Sequence, residues 1–80
     1  MKIKLARADL SAKPKEMDLE EIDKIIEKEA QKIFYFDKEN EHKQLVKMVE
    51  HFEDKGKSIY LREVRYGLDE GDYIYEVHIL

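Results

Sequence analysis

The residues of this 80-residue chain best suited to ligating a metal or moving a proton are its three histidines, His42, His51 and His78. Spacing argues against a shared site for the first two. At about 100° per residue, positions 42 and 51 fall on opposite sides of a helix and cannot share an ion within it. His42 with Glu39 or Glu41 is a weak metal candidate, but acidic neighbours are unavoidable where 42% of residues are charged. His42 and His51 are therefore expected to flank an apolar helix face as surface residues.

Nucleophilic chemistry has even less to work with. The only serines are Ser11 and Ser58, threonine and cysteine are absent, and neither serine sits in a turn motif that would hold it strained and exposed. Gly56, Gly67 and Gly71 match neither a phosphate loop nor a dinucleotide fingerprint. Carboxylate pairs such as Glu20 with Glu21, or Glu53 with Asp54, are too common here to mark general acid-base catalysis, which needs a pocket and a shifted pKa. The expectation is a chain that is not an enzyme and uses no cofactor or metal.

The more specific signal is the C-terminal stretch SIYLREVRYGLDEGDYIYEVHIL, which holds four of the five tyrosines. If GLDEG is a hairpin connection and Tyr66 faces Asp72, Ile59 pairs with Ile79 and Leu61 with Val77 on one face. Tyr60 pairs with His78, Arg62 with Glu76 and Val64 with Ile74 on the other. Apolar residues meet apolar ones and opposite charges meet, which is why this register is preferred. Tyr73 and Tyr75 fall on the core side.

The remaining elements must position that hairpin. Residues 2 to 7, KIKLAR, alternate so that Ile3 and Leu5 face a core and Lys2 and Lys4 face away, a first strand. ADLSAKPKE reads as a connector. Asp18 is placed as a helix N-cap, with Glu21 as capping-box partner and Met17 and Ile22 as a hydrophobic staple. Leu19, Ile22, Ile26, Ala30 and Ile33 then recur at helical spacing. Phe34, Tyr35 and Phe36 either finish this helix or form a short β segment. Asp37 is the expected cap of a second helix carrying Leu45, Met48, Val49 and Phe52 on one face, closed by Gly56. One bent helix is conceivable, but ordinary helix lengths favour two.

The expected fold class is α+β, in the order β-α-α-β-β: a three-stranded sheet with a C-terminal antiparallel hairpin and two helices packed on one face, all in a single domain over residues 1–80. The helices would cover Ile3, Leu5, Ile59, Leu61, Val77 and Ile79. The opposite face would display Lys2, Lys4, Tyr60, Arg62, Val64, Ile74 and His78, with Glu76 among them.

Tyrosine, arginine, histidine and aliphatics together resemble a binding surface more than a solvated sheet face. The leading expectation is a small interaction module, an adaptor, inhibitor or regulatory subunit, that binds a protein, its own second copy included, through the open face and hairpin edge. The competing one is single-stranded nucleic acid stacking on Tyr60 and His78 while Lys2, Lys4 and Arg62 neutralise phosphates. Against both stands the plain reading that tyrosines favour strands and that Arg62 opposite Glu76 is ordinary cross-strand pairing.

Charge placement bears on the choice. Residues 1–16 carry a net +3, whereas 17–36 carry −3 and the two remaining segments −2 each, for −4 overall. An acidic body disfavours general affinity for nucleic acid. A third option, an acidic decoy for a nucleic-acid-processing enzyme, would use the helix face bearing Glu20, Asp23, Glu27, Lys24 and Lys28, whose default role is a solvated, ion-paired surface. No apolar run approaches a membrane span, and with no cysteine the chain is expected to be soluble and cytoplasmic.

Overall fold

A computed structural model describes residues 2–7, 13–68 and 71–80 of the chain. Ser11, most of the expected connector, and Asp69 and Glu70 of the hairpin turn lie outside the described residues. The elements are β1 (Lys2–Lys4), β2 (Glu16–Asp18), α1 (Leu19–Glu29), β3 (Ile33–Phe36), α2 (His42–Glu53), β4 (Ile59–Arg65) and β5 (Tyr73–Ile79). The fold is α+β, with two helices and two antiparallel sheets.

The hairpin forms in the register its side chains dictate. Ile59 pairs with Ile79, Tyr60 with His78, Leu61 with Val77, Arg62 with Glu76 and Val64 with Ile74. Tyr66 N–H donates to Asp72 O at the closing end. The third strand is not the N-terminal one. It is β3, which pairs with β5 from the other side, Phe34 against Val77 and Phe36 against Tyr75, giving the order β3-β5-β4. The expected order β-α-α-β-β is thus corrected to β-β-α-β-α-β-β.

Because β3 occupies the free side of β5, β1 cannot reach the hairpin. It forms a two-stranded ribbon with β2 instead, Ile3 opposite Met17, and joins the larger sheet only by a bridge between Leu5 and Phe36. Asn40 fastens that junction. Its side chain accepts from Lys4 N–H at 2.8 Å and donates to Lys4 O at 2.8 Å, completing a backbone ladder with an amide side chain.

Local chemistry explains the helix ends. Asp18 takes the N-cap position of α1, though its side chain makes no capping hydrogen bond. The helix stops at Ala30, which is left-handed at φ 54° while its N–H still donates to Ile26 O. Ile33 therefore leaves the helical apolar series and enters a strand. Asp37 does not cap α2; the N-cap is Glu41, whose N–H donates to the Gln44 side chain at 2.9 Å. Asp37 instead lies buried beneath Arg7, accepting from its guanidinium at 2.9 Å and from Glu39 N–H at 3.0 Å. At the far end of α2, Gly56 at φ 82° lets Lys57 N–H return to Phe52 O, a reversal for which glycine is suited.

Both helices bury their apolar stripes on one face of the sheet. Leu19 and Ile22 of α1 and Leu45, Met48 and Phe52 of α2 pack with Ile3, Phe34, Phe36, Val77 and Ile79. Leu5, Ile59 and Tyr75 are partly buried against this core, but Leu61 is not covered as expected and remains 38% exposed, because β4 flanks the helical layer. Across the helices, Asp23 accepts from His51 Nε2 at 2.8 Å and from Lys55 Nζ at 2.7 Å. Asp23 thus belongs to a helix-to-helix contact rather than to a solvated outer face. Among the described residues, no helix is long and apolar enough to cross a membrane.

Candidate interaction surface

The uncovered face of the β3-β5-β4 sheet is built by strand alternation. Since Phe34, Phe36, Val77 and Ile79 point to the core, their neighbours point away, and register partners share a face. The result is three cross-strand rows. Ile33, His78 and Tyr60 form one; Tyr35, Glu76 and Arg62 the next; Ile74 and Val64 the third. Ile33, Tyr35 and Tyr60 are 41%, 48% and 70% exposed, large apolar groups left to solvent.

At the centre is a charged hub. Glu76 Oε1 accepts from His78 Nε2 at 2.8 Å and from Arg62 Nε at 3.0 Å. The His78 hydrogen bond, and then the Arg62 one, hold the Glu76 carboxyl below its ordinary range. The hub fixes Arg62 and His78 in orientation, and Glu76 offsets the charge of Arg62. What remains for a ligand is aromatic and aliphatic surface around a neutralised centre.

Five of the seven residues expected on this face are brought together: Tyr60, Arg62, Val64, Ile74 and His78. Lys2 and Lys4 are not among them. Their strand lies beyond β3, so β3 and β5 stand between them and Tyr60. Sequence reasoning missed Ile33 and Tyr35. The alternation of IFYF, with Phe34 and Phe36 as the inward pair, was the available signal, but Ile33 also continues the helical spacing.

The opposite side of β4 carries a groove of about 630 Å³ against α2. Val46, Val49, Leu61 and Tyr75 line it, rimmed by Glu50, Glu53 and Glu63. Burial, and then the hydrogen bond with Tyr73, push the Tyr75 phenol up to about 12, so it remains neutral. Among the described residues, no cluster of three or more His, Cys, Asp or Glu side chains is arranged to hold a metal ion. His51 is engaged with Asp23 and His78 with Glu76.

Among the described residues, fold and surface together define a small α+β protein with one covered and one open sheet face, flanked by an edge strand with no further strand paired to it. By sequence the chain belongs to the HP0268 family, whose model matches residues 1–80. No curated protein and no solved structure matches it.

Proposed function

We propose that this chain is a protein-binding module of the cytoplasm that works through the open sheet face and the β4 edge. The observation that supports this reading is the continuous exposed surface of Ile33, Tyr35 and Tyr60 around the Arg62–Glu76–His78 hub. Aromatic residues and arginine are what protein interfaces concentrate, and a charge-neutral centre suits a partner with no strong field of its own. The surface also adjoins an edge strand able to add a further strand.

A second reading, single-stranded nucleic acid, gains Tyr35 as an additional stacking ring beside Tyr60. It loses Lys2 and Lys4, which lie across β3, and Arg62 is already tied to Glu76. The two readings separate in one experiment. The tagged full chain is used to capture partners from its own cell extract, beside a Tyr35→Ala/Tyr60→Ala variant, and both are titrated with single-stranded RNA at low salt. Under the protein-binding reading, the variant loses a captured protein and the RNA titration is flat. An identical captured set, or RNA binding that weakens steeply with salt and with the variant, overturns it.

A further inference from the structure

The free edge of β4 has a pattern that names its occupant. Ser58 and Leu80 exchange N–H···O bonds in both directions, and Tyr66 N–H donates to Asp72 O. In an antiparallel ladder, residues that exchange such bonds alternate with residues that do not. Continuing the register through Tyr60–His78, Arg62–Glu76 and Val64–Ile74, the even positions of β4 turn their backbone groups inward to β5. Ile59, Leu61, Glu63 and Arg65 turn theirs outward. These odd positions are also the ones whose side chains lie on the helix-covered side, beside the groove.

A second copy adding its own β4 antiparallel to this edge, about a two-fold axis normal to the sheet, must pair odd residues with odd ones. Only a few registers satisfy that rule, and side-chain chemistry separates them. An axis through Leu61 sets Ile59 against Glu63 and Lys57 against Arg65. An axis through Arg62 opposes two arginines, and one through Glu63 opposes two glutamates. Like charges directly opposite are destabilising. An axis through Val64 leaves Tyr60 beyond the end of the facing strand.

An axis through Tyr60 opposes no like charges within β4 and keeps the exposed Tyr60 and Leu61 inside the paired segment, although Val64 and Arg65 run past the start of the facing strand. It sets Tyr60 against the second copy's Tyr60 on the open face and Ile59 against the second copy's Leu61 on the other. Lys57, at the mouth of the strand, meets the second copy's Glu63. That register also covers two of the large apolar side chains otherwise exposed, Tyr60 and Leu61. We propose that the protein self-associates by antiparallel pairing of β4 with β4 of a second copy, centred on Tyr60. This rests on the protein-binding reading and deepens it by naming the partner at the edge.

The chain contains no cysteine, so single cysteines report the register directly. Tyr60→Cys, Leu61→Cys, Arg62→Cys and Val64→Cys are each introduced into the full chain, checked for folding by circular dichroism, and oxidised. The disulfide-linked dimer is expected to be most abundant for Tyr60→Cys. A maximum at any other position, or no cross-link in folded variants, overturns the proposal.

Sedimentation equilibrium of the unmodified chain supplies an independent measurement. A concentration-dependent monomer–dimer equilibrium is expected, with Lys57→Glu weakening it roughly tenfold. The Lys57→Glu/Glu63→Lys double variant should restore it, because six strand residues, about 20 Å, keep those two side chains apart within one chain. A monomer at every concentration, or a double variant no better than the single one, sinks self-pairing. If the monomeric chain nonetheless captures a protein that Tyr35→Ala/Tyr60→Ala loses, the broader protein-binding reading survives that failure.

Discussion

On β5 two environments alternate residue by residue. Val77 and Ile79 are 0% and 1% exposed, packed among helix and β3 side chains. His78, between them, and Glu76 look to the other side, where Arg62 is their neighbour and no helix covers them. The same strand thus builds stability on one face and presents chemistry on the other. The covered face depends on apolar area removed from water, with each large side chain contributing on the order of 1.5–3 kcal/mol. The open face depends on hydrogen bonds that water can replace, so its residues can vary with little cost to folding.

The most severe test of that contrast is truncation on each side. Phe36→Ala should cost about 3–5 kcal/mol by urea denaturation, since it empties a fully buried site in the core that also holds Met48 and Phe52. Tyr60→Ala should stay within about 0.5 kcal/mol. Comparable losses from the two variants would break the distinction between the faces.

A smaller effect separates buried from exposed ion pairs. Asp37→Ala should cost about 2–3 kcal/mol, because it removes a buried acceptor shared by the Arg7 guanidinium and Glu39 N–H and loosens the turn after β3 that fastens β1. Arg62→Ala, with a side chain 70% exposed, should cost under about 1 kcal/mol in the same titration.

The smallest effect is a pH dependence. Glu76 lies below its ordinary range through the His78 and Arg62 hydrogen bonds. Burial works to raise Asp23, but the hydrogen bonds from Lys55 and His51 prevail and leave it lowered. Carboxylates depressed in the folded state contribute stability above their unfolded pKa and lose it as pH falls through the folded one. Stability should therefore decline below the ordinary carboxylate range. Glu76→Gln and Asp23→Asn should each flatten that decline in thermal melts taken along an acid series, and an unchanged slope in both would contradict the assignment.

How much of this was legible in the sequence follows from where its periodicities agreed. The hairpin was readable residue by residue because two strands had to match on both faces at once. The apolar stripes of α1 and α2 were equally plain. β3 was obscured because Ile33 fits the helical series that begins at Leu19, with no glycine or proline to mark the break. β2 is three residues long, too short to display alternation, and so the partner of β1 was hidden. With it went the true position of Lys2 and Lys4. Asp37 looked like a cap because aspartate favours that role, whereas the residue that caps α2 is a glutamate. The open face was therefore legible on its hairpin side and blank on its β3 side.

Ala30 carries a consequence for how the chain reaches this structure. Alanine is the best helix former, yet it stands where the helix must end, in a left-handed conformation that costs an L-residue roughly 1–2 kcal/mol. Taken by itself, local helix preference favours extending α1 toward Ile33. Only the pairing of Phe34 with Val77, contributed from the other end of the chain, draws the β3 residues into the sheet. The same four residues thus answer to a local and a distant preference, and in the folded chain the distant one prevails.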